Sequence, residues 1–260
     1  MSQTISADGT VIDHETTGSG PSVVLIDGAM CFRESGPMRP LAEQLRDRLT
    51  VHLYDRRGRG RSSDTAPYAV EREIEDLAAL IAATGGPVAL VGISSGGALA
   101  LAAAAALGPG QVGRVAVFEP PFMPEQARPA AAAYTAELTA ALAADRPDEA
   151  VAAFLRRVGM PPEAVAGMRG SPAWAGMETL APTLAYDDAV MGDSSVPARW
   201  AEIPVPVLAI AGGASPAFLR FGAEEVARTV PNGTFSVIED QGHDAGPEAL
   251  AALLVPFLAG

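Results

Sequence analysis

Residues 87–107 read PVALVGISSGGALALAAAAAL: an apolar run of strand length, the pentapeptide Gly92-Ile93-Ser94-Ser95-Gly96, then an alanine-rich run of helix length. A strand-to-helix reversal this abrupt forces its central residue into a strained backbone conformation, and the small glycines on either side let sheet and helix approach each other. Ser94 is therefore expected above the end of a strand and at the start of a helix, whose free N–H groups and dipole favour negative charge. A hydroxyl held that way is a candidate nucleophile. A plain Gly/Ser-rich connection is the alternative, and the strand-like and helix-like flanks argue against it.

Outward from this stretch, no residue between Leu77 and Gly113 is charged. Glycines, serines and prolines divide the segment into helix, strand, elbow and helix, which describes the buried centre of a doubly covered sheet rather than a membrane span. Strand-like TVIDHET (10–16), SVVLID (22–27) and TVHLYD (50–55) come earlier, and helix-like EREIEDLAALIAAT (71–84) leads into the central strand. RVAVFE (114–119) follows the alanine-rich helix. VPVLAIA (205–211), a helix around FGAEEVARTV (221–230), the strand TFSVIE (234–239) and a terminal helix after Gly246-Pro247 then resume the alternation. The pattern predicts an α/β fold with a parallel sheet.

Between Phe122 and Glu202 the rhythm changes to alanine tracts and prolines with no strand pattern. The chain is thus divided into a core of residues 1–121 and 203–260 and an insertion of 122–202. Following the strand that ends in Glu119, the insertion is expected above the strands' C-terminal ends, where open α/β sheets bind ligands. Its Phe154, Met160, Trp174, Met177, Tyr186, Met191 and Trp200 either line a pocket or form the insertion's own core. Met30, Phe122, Trp174 and Tyr186 are the candidate substrate-binding residues.

With 260 residues, 48% of them hydrophobic, the chain can bury a substantial core. Its 18 basic and 31 acidic residues leave a net charge of −13, which disfavours nucleic acid and anionic membranes and leaves a small molecule as the expected partner. The arginines of DRRGRGRS (55–62) form a local cluster expected to meet nearby carboxylates. The single Cys31 excludes an intrachain disulfide and fits a reducing compartment. The polar N-terminal MSQTISADGT lacks a secretion pattern, so a cytoplasmic location is expected. Three scattered histidines and one cysteine form no ligand-spaced metal cluster, and ATGGPVALVGISSGG (83–97) has neither a phosphate loop's lysine nor a dinucleotide fingerprint. No metal and no cofactor are expected.

Four motifs in order, LIDGAM (25–30), YDRRGRGRS (54–62), VGISSGG (91–97) and DQGHD (240–244), resemble those of the α/β-hydrolase superfamily over nearly the whole chain. The resemblance implies an α/β-hydrolase fold: a mostly parallel eight-stranded sheet with helices on both faces, a helical cap after strand six, and the chain order serine, acid, histidine. Within the superfamily the chain looks like the small bacterial capped hydrolases, whose substrates are usually esters or related acyl compounds.

By that resemblance the base is His243, ahead of the last helix, while His14 and His52 are structural. The acid usually follows the seventh strand, but AIAGGASPAF (209–218) holds no carboxylate and has Ser215 in that place. A known variation moves the acid to the end of strand six, where this chain has Glu119; Asp240 and Asp244 are the fallbacks. The oxyanion hole falls to the N–H groups of Ser95 and Ala29. Asp27 stands where relatives often carry histidine, and it either braces its loop or marks altered chemistry. Cys31 is the weaker nucleophile, with nothing near it in sequence to depress its pKa. The expected function is a serine hydrolase acting on a small carboxylic ester, lactone or thioester through an acyl-enzyme. The alternatives are a cofactor-free lyase, cyclase or perhydrolase on the same scaffold, or a non-catalytic small-ligand-binding protein.

Overall fold

A computed structural model describes residues 2–260. Eight strands, β1 (Ser2–Ile5), β2 (Val11–Gly18), β3 (Ser22–Ile26), β4 (Thr50–Tyr54), β5 (Val88–Ile93), β6 (Val112–Phe118), β7 (Val207–Gly212) and β8 (Gly233–Ile238), form one sheet. Their order is β1-β2-β4-β3-β5-β6-β7-β8; β2 pairs antiparallel with β1 and β4, and all other ladders are parallel. This is the eight-stranded, mostly parallel sheet that the motifs implied.

Strand alternation sorts the core onto two faces. Val24, Ile26, Leu90, Val115, Val117 and Ala209 pack with α2 (Val70–Thr84), α3 (Ser95–Leu107) and α9 (Ala217–Thr229). Val23, Leu25, Val91, Ile93, Ala116 and Ile210 pack with α1 (Met38–Leu45) and α10 (Pro247–Ala259). The alanine-rich α3 is buried from Ser95 to Ala104, its small side chains allowing close approach to β5 and β6. No helix among the described residues is long and apolar enough to cross a membrane.

Two elements escaped the sequence pattern. β1 lies at the sheet edge with mostly exposed side chains, so its order comes from the ladder Ser2↔His14 to Ile5↔Val11 and not from alternation. Helix α1 begins after Pro37 without a side-chain cap and holds its place through buried Met38, Leu41 and Leu45.

Between β6 and β7 lie α4 (Arg128–Ala143), α5 (Pro147–Arg157), α6 (Pro162–Met168), α7 (Pro172–Leu180) and α8 (Leu184–Met191). Prolines open the first turn of α4 to α7, where the missing N–H costs no hydrogen bond. These helices share an apolar cluster that includes Leu138, Val151, Val165, Trp174 and Leu184, against which Ala29 and Met30 of the core lean. Beneath them the ends of β5, β6 and β7 are tied by backbone bonds, Ser94 N–H to Phe118 O and Glu119 N–H to Ile210 O, each 2.9 Å. These two bonds bring residues 94 and 119 to adjoining strand ends.

Candidate active site

Ser94 has φ 54° and ψ −129°, a conformation foreign to most side-chain-bearing residues. Glycine makes it possible. A Cβ on Gly92 would lie 2.2 Å from Gly96 O, and one on Gly96 would lie 2.4 Å from Ile26 O, so strand and helix meet backbone to backbone. The start of the next loop also touches the serine: a Cβ on Gly28 would come within 3.7 Å of Ser94 Oγ.

Glu119 is fully buried, also with positive φ, at 47°. Its Oε1 accepts the Gly212 N–H at 2.7 Å and its Oε2 accepts the His243 Nδ1–H at 2.6 Å. An ionised carboxylate can only accept, so this bond places the proton on Nδ1 and leaves the Nε2 lone pair free. Asp240 and Asp244 are exposed, and Nδ1 is already taken by Glu119. The turn after β7 carries no carboxylate; at its start a Cβ on Gly212 would lie 2.3 Å from Gln241 O, and Ala214 N–H donates to that same carbonyl at 2.9 Å. That backbone supports the loop carrying His243. His14 bonds Thr4, and His52 bonds Thr16 and Ser22, at the antiparallel edge of the sheet.

Sequence inspection missed one residue of this region entirely. Asp187, on α8, accepts the Ser95 hydroxyl at 2.7 Å, Arg56 at 2.7 Å and Arg59 at 2.6 Å. Arg56 also forms a two-pronged pair with Glu73 at 2.7 and 2.8 Å, while Arg57 meets Asp76 and Asp8. All three arginines are essentially inaccessible. Burial alone would push the Asp187 carboxyl up, but the guanidiniums of Arg59 and Arg56 and the Ser95 hydroxyl hold it below the ordinary carboxylate range. The only trace in sequence was an arginine cluster needing carboxylates, which did not say which ones.

The same two arginines grip the loop after β3. Arg59 Nη1 donates to Gly28 O at 2.6 Å and Arg56 Nη1 donates to Asp27 O at 3.2 Å. In a trans peptide the carbonyl and the following N–H point in opposite directions, so holding Gly28 O aims the Ala29 N–H away from Arg59. Among the described residues, no acceptor takes the N–H of Ala29 or Ser95.

Asp27 is buried in that loop and lines neither of the two cavities described below. Its buried Oδ1 has no partner among the described residues, and a Cβ on Gly36 would lie 2.7 Å from it. Burial drives its pKa up to about 7, only partly offset by Arg59 and Arg56. The folded chain therefore holds this proton up to about pH 7 while the unfolded chain releases it near 3.8, so stability falls as pH rises between those values. Asp27→Asn should melt like the wild type at pH 4 and be more stable by about 2–4 kcal/mol at pH 8, measured by thermal unfolding at both pH values. Equal melting at pH 8 would contradict the buried, protonated acid. Burial likewise pushes the Cys31 thiol up to about 12, which removes it as a nucleophile.

Two cavities meet at Ser94 and His243, sharing Ala29, Phe154 and Val158 as well. One, of about 530 Å³, runs down between the sheet and helices α1 and α10. The other, of about 210 Å³, lies under α4 and α8 and includes Tyr134, Arg157, Asp188 and Ser194. Met30, Phe122, Trp174 and Tyr186, expected at the substrate, line neither cavity. Phe122 is fully buried, edge-on to Trp200 at 5.3 Å. Trp174 donates to Glu178 within the inserted helices, Tyr186 stacks on Tyr68 at 3.9 Å, and Met30 packs against the inserted helices' cluster. Large rings gain most from complete burial, and here they stabilise the insertion while Phe154 and Met191 face the cavities.

Comparison with known proteins agrees with this fold. An alpha/beta hydrolase from Sphaerobacter thermophilus DSM 20745 is 49% identical, with a TM-score of 0.88 over 98% of this chain and 99% of that one. A hydrolase from Pseudomonas aeruginosa PA01 is 22% identical with a TM-score of 0.78 over 100% of this chain and 98% of that one, a likeness of fold. A pimeloyl-[acyl-carrier protein] methyl ester esterase from Stenotrophomonas maltophilia is 40% identical over 94 residues, which are 36% of this chain. The match spans only about a third (34%) of the length of that curated relative. The profile of the alpha/beta hydrolase family matches residues 18–253, and the chain belongs to that family.

Proposed function

We propose that the protein is a serine hydrolase that cleaves a small carboxylic ester, lactone or thioester through an acyl-enzyme on Ser94. Ser94 Oγ attacks the carbonyl carbon as His243 Nε2 takes its proton. Glu119 keeps His243 in the required tautomer and balances the imidazolium. The developing oxyanion is met by the N–H groups of Ala29 and Ser95, one aimed by the Arg59 grip on Gly28 O and the other free at the start of α3. The nearby cluster of Arg56, Arg59, Glu73 and Asp187 pairs two guanidiniums with two carboxylates, so its formal charges cancel. The alcohol or thiol leaves with the proton from His243. Water activated by the same imidazole then attacks the acyl-enzyme, releasing the acid and restoring Ser94.

The observation that carries this proposal is the 2.6 Å bond between His243 and Glu119, beside a cavity that Ser94 and His243 both line. Membership of the family and the partial likeness to a methyl ester esterase support an ester-type substrate. A fluorophosphonate probe should label the wild type and leave Ser94→Ala untouched, as read by intact mass. Equal labelling of both, or none of the wild type, would overturn it.

A further inference from the structure

We infer that the larger cavity is an acyl-chain chamber, and that the preferred substrates are esters of medium-length, unbranched, saturated acids. The inference rests on the proposed reaction at Ser94 and adds which arm of the substrate goes where. The chamber begins at Ser94, beside Phe118 and Ile210 at the strand ends, and reaches down to Val91 and Ala116, with Leu250 and Leu254 of α10 opposite. All six belong to the apolar core on the α1 and α10 face of the sheet, so the cavity enters the core rather than lying between the sheet and the inserted helices. Val91 pairs with Ala116 and stands three positions before Ser94, so the floor lies about 10 Å below the nucleophile, the reach of an extended chain of about eight carbons. Besides Ser94 and His243, its only polar lining side chains are Asp244, which is exposed, and Cys31, whose thiol stays protonated.

The two arms of an ester differ after cleavage. The alcohol must leave, with the proton from His243, while the acyl group is still bonded to Ser94, so the alcohol arm needs a path to water and the acyl arm does not. The smaller cavity carries Arg157, Asp187, Asp188 and Ser194, which suit the arm that passes to water, while the larger one carries, besides Ser94 and His243, only Asp244 and Cys31 as polar side chains. The acyl chain keeps its polar end at Ser94 until water attacks, and its hydrocarbon tail suits the larger chamber. His243, with 43% of its side chain exposed, stands where the leaving group meets water.

The test uses p-nitrophenyl esters from acetate to dodecanoate, compared with alkyl acetates of the same range. For the wild type, kcat/KM should rise about three- to fourfold per acyl methylene up to about eight carbons and then level, with little response to the length of the alcohol. Ala116→Leu, which raises the floor, should lower the octanoate rate at least about tenfold more than the acetate rate. Leu254→Ala should move the optimum to longer chains. Both substitutions disturb the core, so opposite shifts of the optimum cannot arise from lost stability. Unmoved optima in both variants, or a dependence that follows the alcohol arm, would overturn the chamber.

A binding arm separates this inference from the proposed reaction. Octanoate should bind Ser94→Ala at least about tenfold more tightly than butyrate by calorimetry, and adding Ala116→Leu should erase the difference. Tight octanoate binding with no ester turnover in the wild type would leave the chamber standing and remove the proposed reaction. Ester turnover with neither chain-length dependence nor octanoate binding would do the reverse.

Discussion

Glu119→Gln is expected to lower kcat on a p-nitrophenyl ester by about a thousand- to ten-thousandfold while leaving the fold intact. Glutamine has the same shape, and its carbonyl oxygen can still accept the Gly212 N–H that Oε1 accepts at 2.7 Å. Its amide nitrogen then faces His243 Nδ1, where it can only donate. The imidazole answers by moving its proton to Nε2, the atom that must be empty to receive the proton of Ser94. A neutral amide also fails to balance the imidazolium in the transition state. The check is kcat beside a thermal unfolding curve: a rate within about twofold of wild type, with Asp240→Asn or Asp244→Asn lowering it by orders of magnitude, would assign the acid elsewhere.

Asp187→Ala is expected to cost about 3–5 kcal/mol and lower the melting midpoint by about 10 °C. Arg56 keeps Glu73 after the change, but Arg59 is left fully buried with only the carbonyls of Gly28 and Cys31 for acceptors. An unpaired interior guanidinium of this kind is far more damaging than the loss of an exposed pair. Glu224→Ala, which breaks the exposed pair with Arg220, should change stability by less than about 0.5 kcal/mol. Activity gives a second readout. With Asp187 gone, nothing on α8 fixes the Ser95 hydroxyl, and Arg59 loses the anchor from which it holds Gly28 O. kcat measured well below the melting transition should fall about ten- to a hundredfold, because both candidate oxyanion donors lose their alignment. A midpoint within 2 °C of wild type, about the effect of a surface change, would show that the cluster is not a strut between inserted helices and elbow.

The features legible in sequence share a property: their geometry is encoded within a few consecutive residues. Ser94 stood out because a strained φ between a strand and a helix requires small residues at 92 and 96, where an added Cβ would collide with backbone. Glu119 could be named only through the family resemblance, which allows the acid at the end of the sixth strand when, as here, the turn at 209–218 carries no carboxylate; Asp240 and Asp244 stayed open beside it. His243 could be named from its motif, although the bond joining it to Glu119 crosses 124 positions.

What stayed hidden depends on distant parts of the chain meeting in space. Ser95 and Asp187 are 92 positions apart, and nothing in the segment LAYDDAVM distinguishes Asp187 from its neighbour Asp188. Phe122, Trp174 and Tyr186 were chosen for chemistry suited to a pocket, yet packing gave them partners in Trp200, Glu178 and Tyr68 instead. By itself, the sequence determined the alternation of strands and helices, the strained serine and the family, because periodicity and local sterics act over a few residues. Only the tertiary structure decided that Glu119 reaches His243, that two arginines bind Asp187 to the loop of Gly28, and that an apolar chamber opens under α10. Those outcomes follow from burial, in which each charge or ring settles against whichever partner the folded core brings within reach.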